Sequence, residues 1–254
     1  LSVPPIPPPP HPLTNPNTAS FRSRLTDLNL TFDFLDGEYP CTPAPGIDLF
    51  YPPPYYSHIE TETLESTQAA VARVRRHIAT HGPYDALMMF SQGCAVGASL
   101  LLLLQHDGLP PPVRAGIFIC GGPPLTVLEH VGYDVPESVW AADRTSRTKL
   151  SQQADSAAIL AKGSARWMAS SSAVDEGEVR AQLSGGPVRI GIPTVHVYGN
   201  KDPRYEAGVL LSGVCEEGCR RVYDHGGGHE IPRTGVVSDT IAEMVRWALM
   251  EGSI

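Results

Sequence analysis

The chain has 254 residues, 42% hydrophobic and 18% charged, enough for one domain with a full core and too apolar for global disorder. Lys plus Arg number 19 against 27 Asp plus Glu, a net charge of −8, so nothing draws the chain in bulk to nucleic acid or to an anionic lipid surface. The apolar run Leu100 to Leu104 falls far short of the roughly 20 residues of a membrane span.

Of the 25 prolines, 14 lie in the first 56 residues, a density that removes backbone donors and excludes helix or central strand. Residues 1–13 therefore read as a proline-rich arm, and 14–254 as one α/β domain. The arm lacks the apolar core of a secretory leader, so the cytoplasm is the expected location. Leu30 to Leu35 (L-T-F-D-F-L) has a strand's period and ends at Asp36-Gly37, a turn signal. Thr61 to His81 carries Leu64, Val71, Val74 and Ile78 on one helical face and stops at Gly82-Pro83.

Tyr84 to Phe90 is an apolar run of the kind a parallel strand buried on both faces shows. Gln92 to His106 follows as a helix that is apolar nearly all round, then Val113 to Cys120 as a second buried strand. From Pro123 to Gly191 the chain has no convincing strand and reads as a helical cap inserted over one end of the sheet. Alternation resumes with strands at Thr194 to Tyr198 and Arg220 to Tyr223 and a terminal helix from Val236 to Met250. The pattern predicts a mostly parallel, doubly wound sheet. Five scattered cysteines (Cys41, Cys94, Cys120, Cys215, Cys219) read as free thiols.

In such a sheet the reacting groups gather at the carboxyl ends of the strands. Ser91 follows the strand ending at Phe90, Asp202 lies just after the strand ending at Tyr198, and Asp224-His225-Gly226-Gly227-Gly228-His229 follows the last. A serine hydroxyl needs an imidazole to take its proton, and the imidazole needs a carboxylate to fix its tautomer. Ser91, His229 and Asp202 supply these groups in the chain order serine, acid, histidine of the α/β-hydrolases. His229, nearer the following helix, is taken as the base in preference to His225.

The strand-to-helix turn reads Met89-Phe90-Ser91-Gln92-Gly93, with Met89 where G-x-S-x-G has its first glycine. Gly93 and Gly97 still permit a close approach of helix to sheet, and the amide of Gln92 is the expected first oxyanion donor. A second pattern, Cys215-x3-Cys219-x5-His225-x3-His229, offers metal-ligand types, but its x5 gap is too short for a ββα finger and it shares His229. No metal and no cofactor is expected.

The chain resembles the FSH-type serine hydrolases of the α/β-hydrolase superfamily, which include polyketide-releasing thioesterases of secondary metabolism. The resemblance rests on Phe32-Asp33-Phe34-Leu35-Asp36-Gly37, Pro43-Ala44-Pro45-Gly46-Ile47, Phe90-Ser91-Gln92-Gly93, Ile119-Cys120-Gly121-Gly122, Val195 through Asp202-Pro203, and His225 through Pro232. It implies a cofactor-free hydrolase of acyl thioesters or esters, with Ser91 as nucleophile, His229 as base and Asp202 orienting it. It also implies a small-molecule acyl substrate and, as a protein partner, the acyl carrier domain of a polyketide synthase, for which Arg144, Arg147 and Lys149 form the expected basic patch. Trp140 and Trp167 are candidates to line the acyl pocket.

The start departs from that family, whose members open with an apolar first strand and a His-Gly loop. Here the first strand reads as missing or altered, and His11-Pro12-Leu13 stands in place of the loop, so only Leu13 has an amide to offer as the second oxyanion donor. Together with Met89 this sets the alternative: a catalytically weak pseudo-hydrolase acting as a binding or accessory protein.

Overall fold

In chain order the chain forms α1 (Ala19–Arg22), the two-residue strands β1 (Tyr39–Pro40) and β2 (Tyr56–Ser57), α2 (Leu64–His81), β3 (Ala86–Phe90), α3 (Gln92–His106), β4 (Ala115–Ile119), α4 (Leu125–His130), α5 (Glu137–Gln153), α6 (Ser156–Lys162), α7 (Glu176–Ser184), β5 (Thr194–Tyr198), α8 (Tyr205–Gly213), β6 (Arg220–Asp224) and α9 (Gly235–Glu251). This computed structural model describes residues 18–43, 47–49, 51–153, 156–167 and 174–252. The proline-rich arm, Leu13 included, lies outside the described residues.

The apolar runs become strands because only a sheet lets short β-branched segments bury both faces. β3, β4, β5 and β6 lie side by side in that order, all parallel. β4 and β5 are buried along their whole length, and β3 and β6 flank them. Alternation along β4 sends Phe118 to one face and Ile117 and Ile119 to the other. Phe118 packs with Met89, Leu101 of α3, Leu128 of α4 and Leu211 of α8, whereas Ile117 and Ile119 pack with Val195, Val197, Ile241 and Val245 of α9 and Phe21 of α1.

Helices therefore cover both faces, as the sequence pattern requires. α2 is capped by Thr63, whose side chain accepts from Ser66 N, and its Val71, Val74 and Ile78 meet Leu100 and Leu104 of α3. Between β4 and β5 the described residues form α4 to α7 and no strand, which is the helical insertion expected over 123–191.

One expected strand does not form. Leu30 to Leu35 runs without a ladder, and among the described residues β3 pairs only with β4. The alternation is nevertheless used by side chains: Phe32 and Phe34 sit 5.0 and 5.3 Å from the Arg22 guanidinium carbon, and Asp33 faces the other way, 2.7 Å from His77 Nε2 and accepting from the Tyr84 hydroxyl. Cation–π contacts and a carboxylate anchor hold the segment where backbone pairing was expected. The β1–β2 ribbon, with Tyr39 opposite Ser57, is too short to leave a periodic signal in the sequence.

Candidate active site

Ser91 sits between β3 and α3 with φ 51° and ψ −115°, a conformation that costs a non-glycine residue about 1–3 kcal/mol. The surroundings over-determine it. Ser91 N donates to Ile119 O (3.0 Å) on β4, Cys94 N donates to Ser91 O (3.0 Å), and the Cys94 thiol reaches Met89 O and Ile119 O, both at 3.3 Å. The turn lifts the hydroxyl to the end of the sheet and aims the first amides of α3 past it.

Met89 fits because a glycine elsewhere makes room. Its side chain is buried under α3, and a Cβ on Gly97 would lie 1.9 Å from Met89 Sδ, while one on Gly93 would stand 3.7 Å from Met89 Cβ. The space that a glycine at position 89 would have left is thus supplied by Gly97, two helical turns from the serine's own side of the turn.

After β5, Asp202 N donates to Gly199 O (2.9 Å), closing a tight turn. Asp202 Oδ1 accepts from Arg204 N (2.8 Å), which leaves Oδ2 for His229 Nδ1 at 2.7 Å. His229 Nε2 then lies 2.9 Å from Ser91 Oγ. The carboxylate fixes the proton on Nδ1, so Nε2 presents its lone pair to the serine hydroxyl. The Asp202 side chain is 1% exposed and the His229 ring 11%; the acid is sealed from water, where its charge acts at greatest strength.

The histidine loop is tied to the acid turn by backbone. His225 N donates to Tyr198 O (2.9 Å) and Lys201 N to Gly227 O (3.0 Å), and Gly226 takes φ 71°. Glycine is required at 228 by contact: a Cβ there would fall 2.1 Å from the Trp167 ring. Trp167 is a buried support for this loop, whereas Trp140 packs against the core and donates to Glu129 Oε1.

His225 does not reach Ser91. Its Nδ1 accepts from Gly227 N (3.1 Å) and its Nε2 stands 3.8 Å from Cys120 Sγ; burial lowers its pKa. Cys120, at the end of β4 with φ 50°, is a neighbour that the sequence did not single out, and burial followed by the Asp202 charge pushes its thiol well above the usual range. Cys120, Asp202 and His229 each present a ligand-type atom within 4.8 Å of the others. The Cys215–Cys219–His225–His229 set is not brought together: Cys215 is buried in the core, donating to Leu211 O.

Gln92 opens α3, where the helix leaves its first N–H groups without internal partners. Its side chain is clamped on β2: Oε1 accepts from His58 N (3.0 Å) and Nε2 donates to Ser57 Oγ (3.0 Å). Leu13 lies outside the described residues. In the expected basic patch, Arg144 is paired with Glu137 and Arg147 with both Asp143 and Glu62, so two of its three charges are already matched.

Residues 12–241 match the family model described as serine hydrolase (FSH1). The chain is similar to the esterase FPY3 of Fusarium mangiferae, 28% identical over 231 residues that cover 90% of this chain and 85% of that protein. It is similar to the esterase alnB of Emericella nidulans, 29% identical over 247 residues, 88% of this chain and 87% of that one. With the esterase pigG of Monascus ruber it shares 29% identity over 194 residues, 69% and 60% of the two chains.

Proposed function

The chain belongs to the serine hydrolase (FSH1) family, and from that premise we propose that it cleaves an acyl ester or thioester through a covalent intermediate on Ser91. The observation that carries this reading is the relay at strand ends: Ser91 Oγ 2.9 Å from His229 Nε2, and His229 Nδ1 2.7 Å from Asp202 Oδ2.

Ser91 Oγ attacks the acyl carbonyl carbon as His229 Nε2 takes the hydroxyl proton; Asp202 holds the ring and stabilises the imidazolium. The carbonyl oxygen becomes an oxyanion beside the N-terminus of α3, where the amide of Gln92 is the first donor and the amide of Leu13 is assigned as the second. Collapse breaks the bond to the leaving group, to which the imidazolium returns its proton. Water then attacks the acyl carbon as His229 Nε2 takes its proton, and collapse breaks the bond to Ser91 Oγ, to which the imidazolium returns the proton as the acid leaves.

The substrate is a small-molecule acyl compound of the type made in secondary metabolism, a reading supported by the motif resemblance and by the esterases that the chain is similar to. Delivery on an acyl carrier domain is the second source of a thioester; with Arg144 and Arg147 already paired, docking would have to use other cations. Reversing the charges of Arg144, Arg147 and Lys149 should therefore leave turnover of carrier-linked and free thioesters in the same ratio, and a selective loss on the carrier-linked substrate would restore the patch.

Intact-mass labelling with a fluorophosphonate tests the nucleophile. One adduct, mapped to Ser91 and absent from Ser91→Ala, is the expected result. No adduct in protein shown to be folded would overturn the assignment and favour the pseudo-hydrolase.

A further inference from the structure

Arg204 is the most deeply buried cation near the site and the chemistry above gives its side chain no task. Its backbone N–H holds Asp202 Oδ1, while its guanidinium leaves the acid and turns to the cap. There Nη1 donates to Asp143 Oδ1 (2.6 Å), Asp143 O (3.2 Å) and Ser146 Oγ (3.0 Å) of α5. The two side chains are 8% and 9% exposed. Asp143 Oδ2 is taken by Arg147 Nε at 2.6 Å, and Arg147 reaches on to Glu62 Oε1 at 2.6 Å.

A buried guanidinium must find an anion, because leaving it unpaired is costly. Two anions are within its compass: Asp143, and Asp202 only two residues away on the same turn, whose charge acts on Arg204 in addition to that of Asp143. Geometry chooses Asp143. The guanidinium lies over the backbone of Gly122, where a Cβ would come within 2.5 Å of Nη2, so the lack of a side chain at 122 opens the route to the cap. A cavity of about 280 Å³, bordered by Val139 and Ser146 of α5 and by Pro203, Ala207 and Leu210, flanks the pair. Val139 and Trp140 seat the start of α5 in the core, and where its middle meets the acid turn the Arg204–Asp143 pair supplies the polar tie beside the cavity.

We infer that Asp143 is a positioning residue of the cap: by holding Arg204 it keeps that cation off Asp202, so that the carboxylate's charge is reserved for His229. Seating of α5 is thereby linked to the strength of the base. If α5 lifts, Arg204 loses Asp143 and turns to Asp202 on its own turn, and the Asp202–His229 pair weakens. The inference rests on the Ser91–His229–Asp202 reading. The groups around His229 are Asp202 and Arg204 after β5, Cys120 after β4, and His225 and Glu230 on its own loop.

The test measures hydrolysis of a p-nitrophenyl ester against pH in Asp143→Asn, Arg204→Met and the double variant, with each rate divided by the fraction of protein that takes a fluorophosphonate on Ser91. Freed Arg204 opposes protonation of His229, so Asp143→Asn should lower kcat per labelled site about tenfold and move the acid limb of kcat/KM to lower pH by about one unit. Arg204→Met removes a cation and should move that limb the opposite way, with a smaller loss of rate; the double variant should follow Arg204→Met. Removing either charge shifts the limb by Coulomb interaction alone, so the double variant decides: a purely structural tie would leave it as slow as Asp143→Asn, and that result overturns the inference. If Asp143→Asn fails to fold, the double variant is read against wild type, and a loss of about tenfold per labelled site overturns the inference. A wild type without label on Ser91 would instead refute the catalytic reading beneath it.

Discussion

Around Ser91 the chain is fixed by its backbone, and on the flank of the sheet beside β3 it is fixed by side chains. Ser91 N bonds Ile119 O, His225 N bonds Tyr198 O and Lys201 N bonds Gly227 O, so the strand ends hold Ser91, Asp202 and His229 in register. Among the described residues from Thr18 to Ser57, in contrast, the backbone bonds are local, as in the β1–β2 ribbon, and the ties to the rest of the chain are side chains: Phe21 and Leu25 in the core, Arg246 paired with Asp27, Asp33 against His77 and Tyr84, and Gln92 clamped to Ser57, with Arg22 over Phe32 and Phe34. The difference teaches that, among the described residues, Ser91, Asp202 and His229 are aligned by the four-stranded sheet alone. The three groups stand at the carboxyl ends of β3, β5 and β6, and the flank touches them chiefly through the side chain of Gln92, whose backbone amide is the proposed oxyanion donor.

The sharpest way to break the backbone-held half is Asp202→Asn. The shape is kept, but the amide no longer fixes the His229 tautomer or stabilises its cation, and kcat should fall by about 10⁴. Thermal unfolding of the same variant should show the fold intact; a rate within tenfold of wild type would remove Asp202 from the relay. The next largest effect is expected at the turn itself. Gly97→Ala puts a methyl 1.9 Å from Met89 Sδ, forcing the thioether aside at a cost of about 1–3 kcal/mol by urea unfolding. Adding Met89→Ala should return most of that loss, since the two positions share one space. Equal losses in the single and double variants would show that Gly97 matters for some other reason.

Legibility in the sequence follows the same division. β4, β5, α2, α3 and α9 are legible because burial on both faces or on one stripe leaves an apolar period, whereas β3 is only partly buried, with Phe90 exposed, and β6 is largely exposed; Ser91, Asp202 and His229, each just beyond a strand, are brought together by the fold. Leu30 to Leu35 has the same period yet no ladder, since alternation records which way side chains point and not whether a neighbouring backbone is present. The compensation of Met89 by Gly97 spans a turn of sheet to helix, and the Arg204–Asp143 pair joins residues 61 apart; neither has a local pattern to betray it. His225 and His229 were separable only by their nearness to α9, and it is the approach of His229 to Ser91 (2.9 Å) and Asp202 (2.7 Å) that distinguishes them in space.

Acid provides a further contrast between the two halves. His196, in the centre of β5, stacks on Phe118 (5.1 Å) and lies 3.2 Å from Thr194 Oγ1, with Nδ1 buried and without a partner among the described residues. Burial, aided by the charges of Arg220 and Arg180, lowers its pKa from 6.5 to about 3. The folded state thus keeps it neutral while the unfolded chain takes up a proton below pH 6.5, so stability is full above that value and is lost as pH falls towards 3. On the flank, Asp33 is held below 3.8 by the bond from Tyr84 and then by His77; its contribution is full above 3.8 and is lost only at lower pH, and its side chain is 38% exposed, so solvent screens most of it. His196→Phe should accordingly flatten unfolding free energy against pH between 6.5 and 3 by up to about 1.4 kcal/mol per pH unit, and Asp33→Asn should leave that window unchanged. An Asp33→Asn variant that flattened the same window would mean that the flank, held by side chains, unfolds with the sheet as a single acid-sensitive unit.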